Sequence, residues 1–260
     1  MEELDIAKEI IAKSGNNFHS KVVERFRASG WSVSISPYYL DGSTNKAREI
    51  DLVAEIAKPY NSLFDQSIRG NVSIKLFVEC KYIPKVNVFW FDQINESSAL
   101  SWLSNNLPGD AHKVWLEKHH YLTSGKQVAK LFGSENGKFT ENEPFYKAIN
   151  QSLNSVVNLR GASSVIPNGT NGYSNPPLFC LEMPVIVCNC FDKLYSTSID
   201  GESAPVKIDN YFKIEIDYAY VDSRKNNISE YFLIDVVDFN CIEKYFEYLE
   251  ADINRIMEML

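Results

Sequence analysis

Two short apolar segments that carry charged residues most constrain what this chain can fold into. The first covers residues 48–54 and contains Asp51, and the second covers residues 74–81 and contains Glu79 and Lys81. Both are short and rich in β-branched and other apolar residues, which is typical of buried β-strands. Because side chains alternate between the two faces of a strand, Glu79 and Lys81 share one face. The sequence therefore predicts two strands that hold charged groups in an apolar setting.

The charged residues of these strands suggest a chemical site. An ionised carboxylate is costly in an apolar strand unless it is paired or bound to a metal. Asp51, Glu79 and Lys81 on neighbouring strands would form a compact divalent-cation site with an ammonium group beside it. An Asp and a Glu-x-Lys also occur by chance on solvated edge strands, so their spacing alone does not decide between the two interpretations.

The flanking sequence favours the interpretation as a chemical site, because it predicts elements in a definite order. Residues 17–29 repeat apolar side chains at helical spacing, and Gly30 ends this helix. Residues 31–35 predict a strand, and residues 37–46 predict a loop that leads to the strand of Asp51. The order is therefore helix, glycine stop, short strand, loop, Asp strand and Glu-x-Lys strand.

In order, spacing and residue type, this arrangement resembles the PD-(D/E)xK nuclease superfamily, which has the restriction-endonuclease-like fold. The resemblance covers about residues 15–105, and its most specific feature is the triplet Glu79-Cys80-Lys81 after an apolar strand. Ile50 replaces the proline of the nominal Pro-Asp motif, a departure that leaves the acid in place. The resemblance implies an α/β fold in which helices flank a central mixed sheet.

The resemblance also implies roles for individual residues. Asp51 and Glu79 would hold Mg²⁺, for which Mn²⁺ can substitute, and Lys81 would position or deprotonate a water molecule. These three are the expected catalytic residues of phosphodiester hydrolysis. A first-helix glutamate often approaches the metal in this superfamily, so Glu24 or His19 is an accessory candidate.

Further candidates follow from the segments around the motif. Residues 89–103 predict a helix with Gln93 near its start, and superfamily nucleases often place a glutamine on the helix after the Glu-x-Lys strand. Three basic residues bracket the motif and are either phosphate contacts or ordinary surface residues: Lys46, Arg48 and Lys85.

The tyrosine and histidine side chains elsewhere indicate less about function. Tyr38 and Tyr39 either stack on a base or cover the edge of the sheet, and packing is the favoured role. His112 lies in an irregular stretch, and His119 and His120 are adjacent. Neighbouring residues on a helix diverge by about 100°, so this pair is a poor metal site by itself.

The rest of the chain predicts one continuous domain. With 260 residues, 45% of them hydrophobic and 23% charged, the composition is that of an ordinary globular protein with a sizeable core. Residues 145–157 predict a helix, and residues 176–260 predict strands and a terminal helix. We expect a single domain over residues 1–260, with a catalytic core at about 15–105 and a C-terminal β-rich extension at about 176–260.

The net charge and the cysteine content limit which partners and which cellular compartment we expect. The net charge of −8 argues against a protein that coats polyanions, so a nuclease would need a local basic patch, a partner protein or a homo-oligomer. No stretch approaches the roughly 20 apolar residues of a membrane span, and the N-terminus does not resemble a signal peptide. Five scattered cysteines suggest reduced thiols. We therefore expect a cytoplasmic protein without a membrane partner.

The resemblance thus implies a Mg²⁺-dependent endonuclease that hydrolyses nucleic acid, with DNA favoured over RNA. The resemblance further implies a role in restriction or anti-phage defence. One alternative is an inactive nucleic-acid-binding or protein-interaction module on the same fold, and another is an acidic adaptor in which the motif is coincidental. The presence of Asp51, Glu79 and Lys81 together favours the enzyme over the inactive module.

Overall fold

The computed structural model describes residues 3–42, 44–61, 69–105, 116–134, 144–161, 165, 177–222 and 224–259. The helices are α1 (Glu3–Lys13), α2 (Asn16–Ala28), α3 (Glu96–Asn105), α4 (His120–Thr123), α5 (Pro144–Leu159) and α6 (Ile242–Met259), with a 3-10 turn at Phe239–Cys241. The strands are β1 (Ser32–Ile35), β2 (Tyr38–Asp41), β3 (Lys46–Glu49), β4 (Leu52–Asn61), β5 (Arg69–Lys81), β6 (Asn87–Gln93), β7 (Gln127–Ser134), β8 (Pro177–Cys188), β9 (Leu194–Ser198), β10 (Val206–Lys207), β11 (Tyr211–Val221) and β12 (Asn227–Asp238).

One large mixed sheet organises these elements. Its strand order is β1-β4-β5-β8-β12-β11-β7-β6-β9-β10, and β2 and β3 form a separate hairpin. Strands β1, β4 and β5 are antiparallel neighbours, whereas β5, β8 and β12 run parallel to one another. The chain is therefore α/β, with a mixed sheet that helices flank, as the sequence predicts.

Both faces of the sheet are covered around β4 and β5. Ile74, Leu76 and Val78 are fully buried on one face of β5, and Phe77 is fully buried on the other. The first face lies under α6, because Lys58, which shares that face, donates to Glu250 of α6 at 2.7 Å. The opposite face lies under α5. Both faces of β5 are therefore part of the core.

Two other predictions from the sequence were wrong in their element type. The helix predicted over residues 89–103 begins only at Glu96, and its first part is strand β6. Aromatic residues favour strands there, and Phe89 packs between Phe145 and Phe212 at centroid distances of 4.9 and 4.7 Å. The loop predicted over residues 37–46 instead contains β2, which pairs with β3.

The C-terminal third extends the same sheet. Strand β8 lies directly beside β5, and β12 lies beside β8, so the predicted C-terminal strands and terminal helix are present and adjoin the motif strands. The five cysteines are all free thiols. Among the described helices, none has both the length and the apolar character needed to cross a membrane.

The buried position of Phe77 predicts a large stability effect. Phe77→Ala should lower the free energy of unfolding by about 3–5 kcal/mol, because it removes a ring from a fully buried site between β5 and α5. Tyr82→Ala, one residue after the same strand and 64% exposed, is the control and should change it by no more than about 0.5 kcal/mol. Urea unfolding measures both, and equal effects would contradict the two-faced core.

Candidate active site

The pairing of β4 with β5 brings two carboxylates together at one end of the sheet. Leu52 pairs with Val78, and continuing this register by one residue places Asp51 opposite Glu79. The Oδ2 atom of Asp51 accepts the backbone N–H of Cys80 at 2.7 Å. Asp51 is therefore fixed directly to the Glu-x-Lys strand by a charge-assisted hydrogen bond.

Lys81 extends this group towards helix α5. Its Nζ atom donates to Glu79 Oε2 at 2.8 Å and to Gln151 Oε1 at 3.3 Å. An ammonium group has three donors, so these two bonds leave one for another acceptor. The structure thus joins the three predicted catalytic residues and adds Gln151 from α5.

Glu79 is fully buried, and it lies between a positive and a negative side chain. Burial raises the pKa of its carboxyl to about 7, Lys81 opposes the rise, and the negative charge of Asp51 adds to it. Among the described residues, Oε1 of Glu79 has no hydrogen-bond partner. A buried carboxylate oxygen without a partner is costly, and it is the kind of hard oxygen that binds Mg²⁺.

The hairpin of β2 and β3 covers the same region. Its inner face carries Tyr39, Asp41 and Arg48, and β2 packs against α5. The Nε atom of Arg48 donates to the buried Asp41 at 2.6 Å. Burial raises the pKa of Tyr39, Arg48 opposes the rise, and the nearby charge of Glu79 adds to it. The hairpin therefore lies within electrostatic range of Glu79.

The three residues predicted to contact phosphate lie on separate segments next to the motif strands. Arg48 lies on the hairpin with part of its side chain exposed. Lys46 is exposed at the start of β3, and Lys85 is exposed in the segment between β5 and β6. Of the three, Arg48 is the residue whose charge acts on the pKa of the buried Tyr39.

The two helix candidates lie on the other side of the sheet. Helix α2 packs with α6, since Phe26 contacts Phe246 at a centroid distance of 4.9 Å. Glu24 is an exposed residue of this helix. His19 is partly buried and helps to lower the pKa of Glu49, after hydrogen bonds from other side chains. His19 therefore approaches the start of the Asp51 segment, whereas Glu24 faces solvent.

Gln93 does not join the site. It is exposed on β6, which is five strand spacings, about 24 Å, from β5. Gln151 of α5, and not Gln93, contacts Lys81. The helix of Gln151 is predictable from its apolar spacing, but no local pattern shows that it covers β5.

A cavity of about 700 Å³ opens at the same end of the sheet, beside the N-terminal end of α2. Its wall includes Lys21, Tyr82, Asn189 and Phe239. Tyr82 follows Lys81 directly in sequence, so the cavity borders the end of the Glu-x-Lys strand. Its wall combines aromatic rings, amides and one cationic side chain.

A second cluster of ionisable groups lies in the core. The side chains of His119, His120 and Asp252 approach one another within 4.8 Å, and all three are buried. Adjacent histidines on a helix would diverge, but His119 is the extended N-cap of α4 and not a helical residue. Both rings therefore converge on Asp252. His112 lies outside the described residues.

Hydrogen-bond donors account for this cluster better than a metal does. The N–H of Tyr121 donates to Nδ1 of His119 at 3.2 Å, so the proton of the neutral ring lies on Nε2. That nitrogen is 3.2 Å from Oδ2 of Asp252 and has no lone pair to offer an ion. Burial lowers the pKa of His119 to about 4, which keeps its ring neutral.

His120 is the cation of this buried network. Burial alone would lower its pKa, but the charges of Asp252 and Asp235 outweigh burial and raise the pKa to about 9. Its ring contacts Asp252 through Nδ1 and Asp235 through Nε2, the latter at 3.3 Å. Tyr211 and Tyr245 also donate to Asp235, at 2.8 and 2.7 Å. The network thus joins α4, α6, β11 and β12, and we interpret it as structural.

Comparisons with protein-family models, with curated proteins and with solved structures find no match to this chain.

The raised pKa of His120 predicts how stability depends on pH. Because the folded pKa of about 9 exceeds the unfolded value, the stabilisation is complete below about pH 6.5 and is lost as pH rises through about 9. Its size is roughly 3 kcal/mol, from 1.36 kcal/mol per pKa unit. Urea unfolding of the wild type and of His120→Gln at pH 6.5 and 9.5 should show that the difference between their free energies of unfolding falls by about this amount as the pH rises.

The comparison of the wild type with His120→Gln isolates the contribution of His120 to the pH dependence of stability. Lys213, whose pKa burial lowers to about 8, titrates in both and cancels in the difference. NMR titration gives an independent measurement, in which one histidine ring should titrate near pH 9. If every histidine ring titrates below about pH 7, the charged network is wrong.

Proposed function

We propose that this protein is a metal-dependent nuclease of the restriction-endonuclease-like fold that hydrolyses phosphodiester bonds, with DNA as its preferred substrate. One observation carries the proposal, the meeting of Asp51, Glu79 and Lys81 at one end of β4 and β5. The Oε1 atom of Glu79 supports it, because this buried oxygen has no hydrogen-bond partner in the described part of the chain, and an ordinary structural ion pair has no need of such an oxygen.

The order of elements supports the proposed fold. Helix α2, strand β1, strand β4, which Asp51 immediately precedes, and the Glu-x-Lys strand β5 follow one another in the order that the resemblance implies. The three strands are neighbours in the sheet. The hairpin β2–β3 is inserted between β1 and β4, where the sequence predicted a loop.

The donor set fits a magnesium ion. Asp51 and Glu79 offer hard carboxylate oxygens, and two protein ligands leave room for the water and phosphate oxygens that Mg²⁺ retains. When bound, such an ion polarises the scissile phosphate and lowers the pKa of a bound water. Mn²⁺ accepts the same oxygen ligands.

Lys81 and Gln151 have distinct proposed roles. The Lys81 ammonium lies beside Glu79 with one donor to spare, so it can orient a water molecule or offset negative charge that develops on the phosphate. Gln151 accepts from the same ammonium and holds it at the covered end of β5. Gln151 is therefore a positioning residue for Lys81.

Substrate binding must overcome the net charge of −8. Arg48 and the exposed Lys46 and Lys85 lie on segments next to the motif strands, and Lys21 lines the adjacent cavity. We propose that these side chains form the local basic surface that contacts phosphates. A second copy of the chain or a partner protein would add to this surface.

Isosteric substitutions at the three motif residues test the chemistry. Asp51→Asn, Glu79→Gln and Lys81→Met should each lower the rate of Mg²⁺-dependent cleavage at least 100-fold, because each removes a metal ligand or the ammonium. The assay follows plasmid, linear duplex and single-stranded DNA in Mg²⁺. Melting temperatures should stay near that of the wild type, because each substitution keeps the shape of the side chain.

Matched controls lie at the opposite edge of the sheet. Lys207→Met on β10 and Asp209→Asn just after it make the same chemical changes and should cleave like the wild type. If the three motif variants also cleave like the wild type, the proposed site is wrong. DNA binding by a wild type that cleaves none of the substrates would instead indicate the inactive binding module.

The carboxylate pair predicts that DNA binding depends on a divalent ion. Two like charges a few ångströms apart repel by roughly 1–4 kcal/mol at effective dielectric constants of about 80 to 20. A phosphate that approaches Asp51 and Glu79 meets this repulsion, so duplex affinity should be higher in Ca²⁺, a non-catalytic substitute, than in EDTA. Asp51→Asn should reduce the difference by improving binding in EDTA.

A labelled duplex titrated in both buffers at one ionic strength provides the measurement, because salt alone shifts such affinities. Asp209→Asn is the control and should retain the full Ca²⁺ effect. Equal affinities in Ca²⁺ and EDTA, for wild type and Asp51→Asn alike, would mean that these carboxylates do not face the substrate.

A further inference from the structure

The cavity beside α2 has the size and the wall of a ligand site. Its volume is about 700 Å³, and pockets that bind small ligands commonly measure about 300–1,000 Å³. Such pockets combine aromatic or apolar walls with a few polar groups. Here the wall contains the rings of Phe18, Tyr82 and Phe239 and the ammonium group of Lys21. It therefore suits a ligand that has a flat ring system and a negative charge.

Tyr82 presents the most accessible ring of this wall. Its side chain is 64% exposed, whereas the two phenylalanines are partly buried. Asn189 holds the backbone on both sides of Tyr82. The N–H of Asn189 donates to the carbonyl of Lys81 at 3.0 Å, and its Oδ1 atom accepts the N–H of Ile83 at 2.7 Å. The backbone that carries the ring is therefore fixed, and the ring remains open to a ligand.

Phe18 and Phe239 add an apolar part to the same wall. Their rings pack edge to face at a centroid distance of 5.5 Å, and both rest on the hydrophobic core. This contact joins α2 to the 3-10 turn after β12. A flat ligand in the cavity thus meets aromatic carbon from three separate segments of the chain.

Lys21 supplies an available positive charge. It is exposed on α2 and forms no ion pair within the described part of the chain. Arg25, one turn later on the same helix, is instead ion-paired with Glu243. The nearby carboxylate of Asp238 accepts the N–H groups of Phe191 at 3.0 Å and of Asn240 at 2.8 Å. Lys21 is therefore the basic group of the wall that can pair with a phosphate.

The cavity begins where the Glu-x-Lys strand ends. Tyr82 follows Lys81, so their Cα atoms are about 3.8 Å apart. Because successive side chains of an extended chain point to opposite faces, Lys81 faces α5 and Tyr82 faces the cavity beside α2. A nucleic-acid strand that crosses this end of β5 can place one phosphate near Lys81 and the adjoining nucleotide in the cavity.

We propose that this cavity binds one unpaired nucleotide of the substrate, with its base stacked on Tyr82 and its phosphate paired with Lys21. This inference rests on the proposed function and specifies its substrate class. A base can enter only from a single strand or after leaving its duplex, because a paired base is held between its neighbours. Stacking on an aromatic ring accepts any base, since every base has a π-face. The protein therefore prefers unpaired nucleotides to a perfect duplex.

Two labelled strands test the roles of the base and the phosphate separately. One is a single DNA strand of ten adenine nucleotides, and the other is an abasic strand of the same length with the same phosphates. Fluorescence anisotropy in Ca²⁺ measures both affinities at one ionic strength. The wild type should bind the adenine strand on the order of tenfold more tightly than the abasic strand, and more tightly than a matched duplex.

Variants of the two wall residues should change these affinities differently. Tyr82→Leu should remove the preference for the adenine strand, because it removes the stacking ring. Tyr38→Leu, at a tyrosine that is 69% exposed on the hairpin, is the control and should keep it. Lys21→Met should weaken both strands equally and reduce the slope of log affinity against log salt by about 0.7, the value for one phosphate. Lys207→Met should leave both measurements unchanged.

The outcomes separate this inference from the proposed function. Melting temperatures should match the wild type, because Tyr82 and Lys21 are exposed. If Tyr82→Leu keeps the preference for the adenine strand, or if the wild type binds the duplex more tightly, the cavity is not a site for an unpaired nucleotide. The nuclease remains in that case, provided that the wild type cleaves and Glu79→Gln does not. If the wild type neither binds nor cleaves DNA or RNA, the proposed function fails, and the inference fails with it.

Discussion

The antiparallel pairing of β4 with β5 is the interaction on which the candidate site depends. Its register places Asp51 opposite Glu79, and the bond from the Cys80 N–H to Asp51 fixes that carboxylate to the Glu-x-Lys strand. Because both faces of these strands are covered, a shift by one residue would exchange the buried apolar and charged side chains. Core packing therefore specifies the positions of the charged groups, and no separate loop is needed to assemble them.

Two buried charged clusters in this chain differ in how completely their hydrogen bonds are satisfied. Around His120, both ring nitrogens and both bridging carboxylates have partners, and opposite charges lie side by side. Such a network can stabilise a fold without binding anything. At the other cluster, Oε1 of Glu79 and the hydroxyl of Tyr39 lack partners within the described part of the chain. We therefore interpret the network around His120 as structural and favour the second cluster as the candidate active site.

The sequence predicted those parts of the site that depend on local alternation. The Glu-x-Lys triplet lies within one strand, so the faces of its residues follow from the two-residue period, whereas Asp51 lies in the break between β3 and β4 inside the single strand predicted over residues 48–54. Gln151 could not be predicted, because its helix returns to β5 from a distant part of the chain, and the place of Tyr39 depends on a hairpin that packs against the same helix. The helix predicted around Phe89 was wrong because pairing with β7 and β9 on either side outweighs helical spacing in a short aromatic segment.

Binding of Mn²⁺ to the metal-free protein tests the central claim most directly, because it does not depend on knowing the substrate. Isothermal titration calorimetry compares the wild type with Glu79→Gln, Asp51→Asn and, as the control in the other buried cluster, Asp252→Asn. The account predicts that the wild type and folded Asp252→Asn bind the ion, whereas both motif variants bind it at least tenfold more weakly. Binding that is lost in Asp252→Asn and retained in Glu79→Gln would place the metal at the histidine cluster and contradict the account.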